Sequence, residues 1–157
     1  MDTTQHTSSP SIEVRQIGTT TIVDFLGKVK KRNDAVTEFI VWIQEYLKDT
    51  EEAWHKPFVK VLMEIVKNIY DHGNGKATLT LINNELAVAF KFVDHNPALI
   101  IFDGLDDPKV WKKKTEHNFG HGLRMIQSIA KQFSMNLEID DTKGGINYSG
   151  SYTKPIQ

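Results

Sequence analysis

Cysteine is absent from all 157 residues. That excludes disulfides and thiol chemistry and argues against a structural zinc site. An excess of charge of either sign is lacking too: 19 basic residues against 20 acidic leave a formal net charge of −1. Composition therefore offers no electrostatic reason to expect nucleic acid or an acidic membrane surface as a partner. No apolar run is long. The longest, Phe39 to Ile43 among them, fall far short of the roughly 20 residues that a spanning helix needs. The first ten residues, MDTTQHTSSP, have neither the basic start nor the apolar stretch of a secretory signal, so the cytoplasm is the expected location.

What is present fits a soluble globular protein: 25% charged and 39% apolar residues, in a length that suits one domain with a full core. Residues 1–10 are polar and turn-rich and read as a disordered tail, which leaves 11–157 as a single domain. The middle of the chain, Lys56 to Gly75 (KPFVKVLMEIVKNIYDHGNG), organises the rest. Pro57 suits a first helical turn, where its missing N–H has no intrahelical partner. Phe58, Val59, Leu62, Ile65, Val66, Ile69 and Tyr70 then recur at helical spacing, and Gly73-Asn74-Gly75 ends the run. The other side gathers Lys60, Glu64, Lys67, Asn68, Asp71 and His72. Such a stripe is ordinarily a solvated face, with Lys67 and Asp71 as an i, i+4 ion pair. Yet it also sets a carboxylate, a carboxamide and an imidazole in a row at Glu64, Asn68 and His72, each step about 6 Å along the axis.

Before this helix, Ile12–Ile17 and Thr20–Leu26 read as a hairpin around Gly18. Lys28 to Arg32 reads as a solvated basic connection. Asn33 or Asp34 can cap a helix running to about Lys48, with Val36, Phe39, Ile40, Ile43, Tyr46 and Leu47 on one face. After it, Ala77–Ile82 and Glu85–Val93 form a second hairpin, whose Asn83-Asn84 turn suits positive φ angles. Asp94 ends that hairpin. Leu99 to Asn118 is a long loop, and Phe119-Gly120-His121-Gly122 opens a helix with Leu123, Ile126, Ile129, Ala130 and Phe133 on its apolar face. Met135, Leu137 and Ile139 alternate, Asp140 to Gly145 turns, and Ile146, Tyr148 and Tyr152 close the chain in a strand. Strands segregated from helices predict an α+β fold: a two-layer sandwich of a mixed, mostly antiparallel sheet with helices packed on one face.

Gly120-x-Gly122 at a helix start lets backbone N–H groups and the helix dipole approach an anion closely. A carboxylate at a strand end, such as Asp94, can accept a hydrogen bond from an exocyclic amine. Each signal is weak alone, since glycine before a helix and aspartate after a strand are common turn chemistry. Lys112 to Lys114 reads as a solvated charge run. His72, His95, His117 and His121 share no metal-ligand spacing, and Trp42, Trp54 and Trp111 suit core or partner-facing anchors.

In combination, EIVKNIYDHG, then Asp94-His95-Asn96-Pro97, then FGHGLRMI, the chain resembles the GHKL ATPases. This is the Bergerat-fold, histidine-kinase-like superfamily, and the likeness is nearest to the anti-sigma-factor serine/threonine kinases of bacterial partner-switching systems. The resemblance spans about Phe58 to Tyr152 and implies ATP and Mg²⁺ as cofactors. By it, Glu64 is the general base, and Asn68 holds the magnesium ion that bridges the phosphates, a carboxamide oxygen being a suitable hard ligand. His72 closes the same box. Asp94 reads the adenine amino group, with Asp103 as the rival aspartate. Asn96 and Ala98 stand where the family has the glycines of its first glycine box, and Asn96 is the better suited to a left-handed backbone. Gly120, His121, Gly122 and Leu123 lie under the triphosphate, and Leu99 to Asn118 corresponds to the ATP lid.

Two functions follow as expectations. The resemblance implies a protein kinase that phosphorylates a small anti-anti-sigma-like protein, with a sigma factor as a second partner and a homodimer as the expected assembly. The alternative is a non-catalytic module that binds nucleotide, or none, and sequesters a partner; the altered first glycine box favours it. A histidine-kinase catalytic domain ranks below both, because His55 lacks the acidic neighbour and proline spacing of a phospho-acceptor.

Overall fold

The computed structural model describes residues 10–49, 52–72, 74–95, 119–142 and 145–154. In chain order these form β1 (Ile12–Ile17), β2 (Thr20–Leu26), α1 (Arg32–Tyr46), α2 (Glu52–His72), β3 (Lys76–Asn83), β4 (Ala87–Asp94), α3 (Phe119–Gln132), β5 (Asn136–Thr142) and β6 (Gly145–Thr153). The fold is α+β. The strands make one six-stranded sheet in the order β1-β2-β3-β4-β6-β5. Every pairing among the described strands is antiparallel, so the sheet is not mixed: each strand meets its neighbour through a hairpin or a returning connection.

Burial alternates along the inner strands. Val23 and Phe25 of β2, Ala77, Leu79 and Leu81 of β3, and Val88, Phe90 and Phe92 of β4 point into one core, as a period of two requires of a sheet covered on one face. The cover is helical. Phe39 and Ile43 of α1, Phe58, Leu62, Ile65 and Ile69 of α2, and Ile126 and Ala130 of α3 are buried in the same cluster, and α2 packs against both of the other helices.

Four local expectations need correction. Helix α2 starts at Glu52, so Pro57 lies inside it rather than in its first turn; the helix forgoes one backbone bond there, and the proline ring is buried. Helix α1 starts at Arg32 with Lys31 at its N-cap and no side-chain cap, which places Asn33 and Asp34 inside the first turn, where the Asp34 carboxylate suits the helix dipole. The β3–β4 turn is Asn84-Glu85-Leu86. Asn84 Oδ1 accepts from the N–H groups of Leu86 at 2.9 Å and Ala87 at 3.0 Å, so the asparagine works through its side chain and not through a positive φ. Strand β5 continues to Thr142, into the stretch read as a turn.

The basic connection is not merely solvated. Lys30 Nζ lies 2.7 Å from Glu38, and Arg32 lies 2.7 Å from Asp71. Asp71 is thereby taken by Arg32, and Lys67 pairs instead with Glu64 at 3.3 Å. Trp42 stacks on Tyr46 at 5.2 Å between ring centroids and touches Phe39 at 6.2 Å. The tail 1–9, Asn96, Ala98, Asp103, Trp111, Lys112 to Lys114, His117 and the loop Leu99 to Asn118 lie outside the described residues.

Candidate functional site

The polar stripe of α2 is not a solvated face at its centre. Glu64 is 8% exposed and Asn68 6%, while Asp94, at the last residue of β4, is 3% exposed. With Ser11 and Thr21 they make up the buried polar side chains among the described residues. Burying such groups costs free energy unless something compensates them, so three of them contributed by two elements call for an explanation.

Local geometry explains how they get there. Asp94 continues the inward alternation Val88, Phe90, Phe92 of β4, which puts its carboxylate on the helical side of the sheet. Its strand partner there is the buried Ala77. Glu64 and Asn68 share a face of α2 one turn apart. Glu64 Oε2 has Lys67 Nζ at 3.3 Å and Lys60 Nζ at 3.5 Å, two ammonium groups from the turns on either side.

Sequence reasoning had no means of finding Tyr148. It is paired with Phe92 in the β4–β6 ladder and is almost wholly buried. Its phenol lies against the Asn68 carboxamide and within electrostatic reach of Asp94. Burial pushes its pKa well above the usual 10.0, Asn68 pulls it back in part, and the Asp94 charge pushes it further up. Tyr148 thus ties α2 to the end of β4. Asn68 Nδ2 is nevertheless buried with no well-oriented hydrogen-bond acceptor among the described residues. A buried carboxamide has two N–H donors to satisfy, and leaving them unmet is costly.

The remaining expected site residues fall as follows. Gly120, His121, Gly122 and Leu123 are in the first turn of α3, the helix that packs against α2. His72 is the last residue of α2. His95 follows β4, and its Nε2 meets Thr78 Oγ1 at 2.8 Å, whose hydroxyl donates to Asp24 Oδ1 at 3.0 Å. His95 therefore belongs to a polar chain on the opposite face of the sheet from Asp94.

Among the described residues no group of three or more His, Asp or Glu side chains could hold a metal ion, and no helix is long and apolar enough to cross a membrane. A groove of about 690 Å³ lies elsewhere, between β1 and α1. Set against known proteins, the chain matches no family model and no curated protein.

Proposed function

We propose that the buried polar group of α2 and β4 is the nucleotide site of a Bergerat-fold domain, which binds ATP with magnesium and phosphorylates a serine or threonine of a small regulatory protein. The observation that carries this reading is the joint burial of Glu64, Asn68 and Asp94, with no well-oriented acceptor for Asn68 Nδ2 among the described residues. The donor set fits the ligand. Mg²⁺ keeps several waters and is commonly held by one or two protein oxygens together with phosphates, so a single carboxamide suffices where a cage is absent. The unmet N–H of Asn68 would gain an acceptor in a phosphate oxygen or a metal-bound water.

Magnesium–ATP would supply the activated γ-phosphoryl group and shield its charge. The chain's own residues do the rest. Asp94 would accept a hydrogen bond from the adenine amino group and set the register of the base. Asn68 Oδ1 would hold the metal. Glu64 takes the proton of the acceptor hydroxyl as its oxygen bonds to the γ-phosphorus and the bond to ADP breaks. The backbone N–H groups of the first turn of α3 would offer the phosphates an anion site, since the helix dipole favours negative charge there.

A second reading has its own observation. Both lysines crowd Glu64 Oε2, which hinders a general base and favours a module that binds nucleotide without transfer. Titration with an ATP analogue, with and without Mg²⁺, tests the site: Asp94→Asn and Asn68→Ala should each lose at least about tenfold in affinity, or about 1.4 kcal/mol. Affinity unchanged in both would end the nucleotide reading, and loss only in Asp103→Asn would reassign the adenine contact. If binding is intact but wild type and Glu64→Gln form ADP equally slowly, the non-catalytic module stands instead.

A further inference from the structure

Asn68 can serve as a metal ligand only if its carboxamide faces the right way. The two ends of the group are nearly equal in shape, but Oδ1 is a ligand for a hard cation and Nδ2 is not. A flip about the last side-chain bond would cost the site its metal. On the nucleotide reading, then, a neighbour of Asn68 has to choose between the two orientations.

The sheet brings Tyr148 to that place. Its partner across the β4–β6 ladder is Phe92, and Val93 faces Asn147, so Asp94 is the diagonal neighbour of Tyr148 on the helix-covered face. Diagonal neighbours lie about 7–8 Å apart, within reach of a long aromatic side chain. Tyr148 is 1% exposed, Asp94 3% and Asn68 6%, and a buried phenol ordinarily finds a hydrogen-bond partner.

We propose that Tyr148 is the positioning residue of Asn68: its phenol donates to the Asp94 carboxylate and accepts from Asn68 Nδ2, which leaves Oδ1 turned towards the metal. This rests on the nucleotide reading. The direction of the chain is set at its Asp94 end. A carboxylate only accepts, so the phenol must donate to it, and the phenol's lone pairs are what remains for Asn68. Lone pairs take an N–H and repel a carbonyl oxygen. Asn68 Nδ2 is the atom with no well-oriented acceptor among the described residues, and the phenol oxygen is the acceptor this chain assigns to it. Asn68 also pulls the Tyr148 pKa downward, as an N–H directed at the phenol oxygen does. One hydroxyl thereby joins the residue that reads the base to the residue that holds the metal.

Nuclear magnetic resonance of the free protein and nucleotide titration test this together. The Asn68 side-chain N–H pair is assigned by its loss in Asn68→Ala. In wild type it should be protected from exchange with solvent. Tyr148→Phe, which keeps the ring and removes only the hydroxyl, should lose that protection. Titration with an ATP analogue then gives the ratio of affinity with Mg²⁺ to affinity without it. Tyr148→Phe should cut that ratio at least about tenfold, the usual effect of losing a group that orients a metal ligand, and leave the Mg²⁺-free affinity as it was. A role in packing alone would lower both affinities alike. Asn68→Asp offers an oxygen in either orientation, so adding Tyr148→Phe to it should leave the ratio unmoved. An Asn68 pair that exchanges freely in wild type, or is equally protected in Tyr148→Phe, would overturn the proposal. So would a Tyr148→Phe protein that keeps the full Mg²⁺ ratio, with the nucleotide site itself left standing. A wild type that binds no nucleotide would end both.

Discussion

Ser11 gives both its backbone N–H and its hydroxyl to Glu38, at 3.0 and 2.6 Å to the same carboxylate oxygen. Lys30 Nζ meets that oxygen too, at 2.7 Å, so the start of β1, the β2–α1 connection and the second turn of α1 converge on one group. Burial pushes the Glu38 carboxyl up, but the bonds from Lys30 and Ser11 outweigh it and leave the pKa below the usual 4.5. A folded pKa lower than the unfolded one stabilises the protein above the unfolded value and fades as pH falls through the folded one. Glu38→Gln should therefore cost about 1 kcal/mol at pH 7, the site being partly open to water. It should also flatten the decline in urea midpoint between about pH 5 and 3. Equal slopes in the two proteins would show that the carboxylate is not what ties these segments together.

Alkali should act through Tyr148. Its pKa is raised, chiefly by burial, so the folded protein resists losing that proton. Stability is then intact below the ordinary value of 10.0 and declines as pH rises beyond it. Tyr46 and Tyr70 are shifted the same way by burial, so Tyr148→Phe should make the decline shallower without abolishing it. Denaturant midpoints of wild type and variant at pH 8 and pH 11 make the comparison.

Gly150 has no room for a side chain. A Cβ there would lie 2.7 Å from the Phe90 ring and 2.8 Å from the Asn136 carbonyl oxygen. Phe90 lies across from it in the β4–β6 ladder and meets Phe58 of α2 edge-on at 5.7 Å, so it cannot withdraw freely. Gly150→Ala should cost about 1–3 kcal/mol by overpacking, and Gly150→Ala with Phe90→Leu should recover part of it. Chemical denaturation of both variants gives the answer.

Ligand linkage gives a readout that needs no protein substrate. At a concentration about 100 times its dissociation constant, Mg²⁺–ATP should stabilise the folded chain by about 2.7 kcal/mol, and Asn68→Ala should erase most of that gain. A melting temperature indifferent to nucleotide would count against the site.

Much of this fold was legible because its patterns are local. The bounds of β1 and β2 follow from β-branched residues broken by Gly18, and the apolar face of α2 follows from its spacing alone. The misreadings have physical causes. Helix packing tolerates Pro57 beyond the first turn, because the ring is buried and its neighbours compensate for one lost bond. Asn84 organises its turn through side-chain bonds that a rule about positive φ does not contain. The pairing of Lys67 was misread because Arg32 is 39 positions from Asp71, a meeting that only the tertiary fold creates. At the site, the i, i+4 relation of Glu64 and Asn68 was visible, but Tyr148 was not, since nothing local says that β6 lies beside β4.

That insertion has a kinetic consequence. Strand β6 separates β4 from β5, so β5 has no neighbour to join until the residues after it have arrived. Four strands and two helices can assemble around α2 beforehand, but the edge formed by β5 and the burial of Tyr148 wait until the chain between β4 and β6 has closed. Contacts so far apart in the chain are slow to form. Refolding should accordingly pass late through the step that seats Tyr148, and cutting the chain before β6 would strand β5 as well.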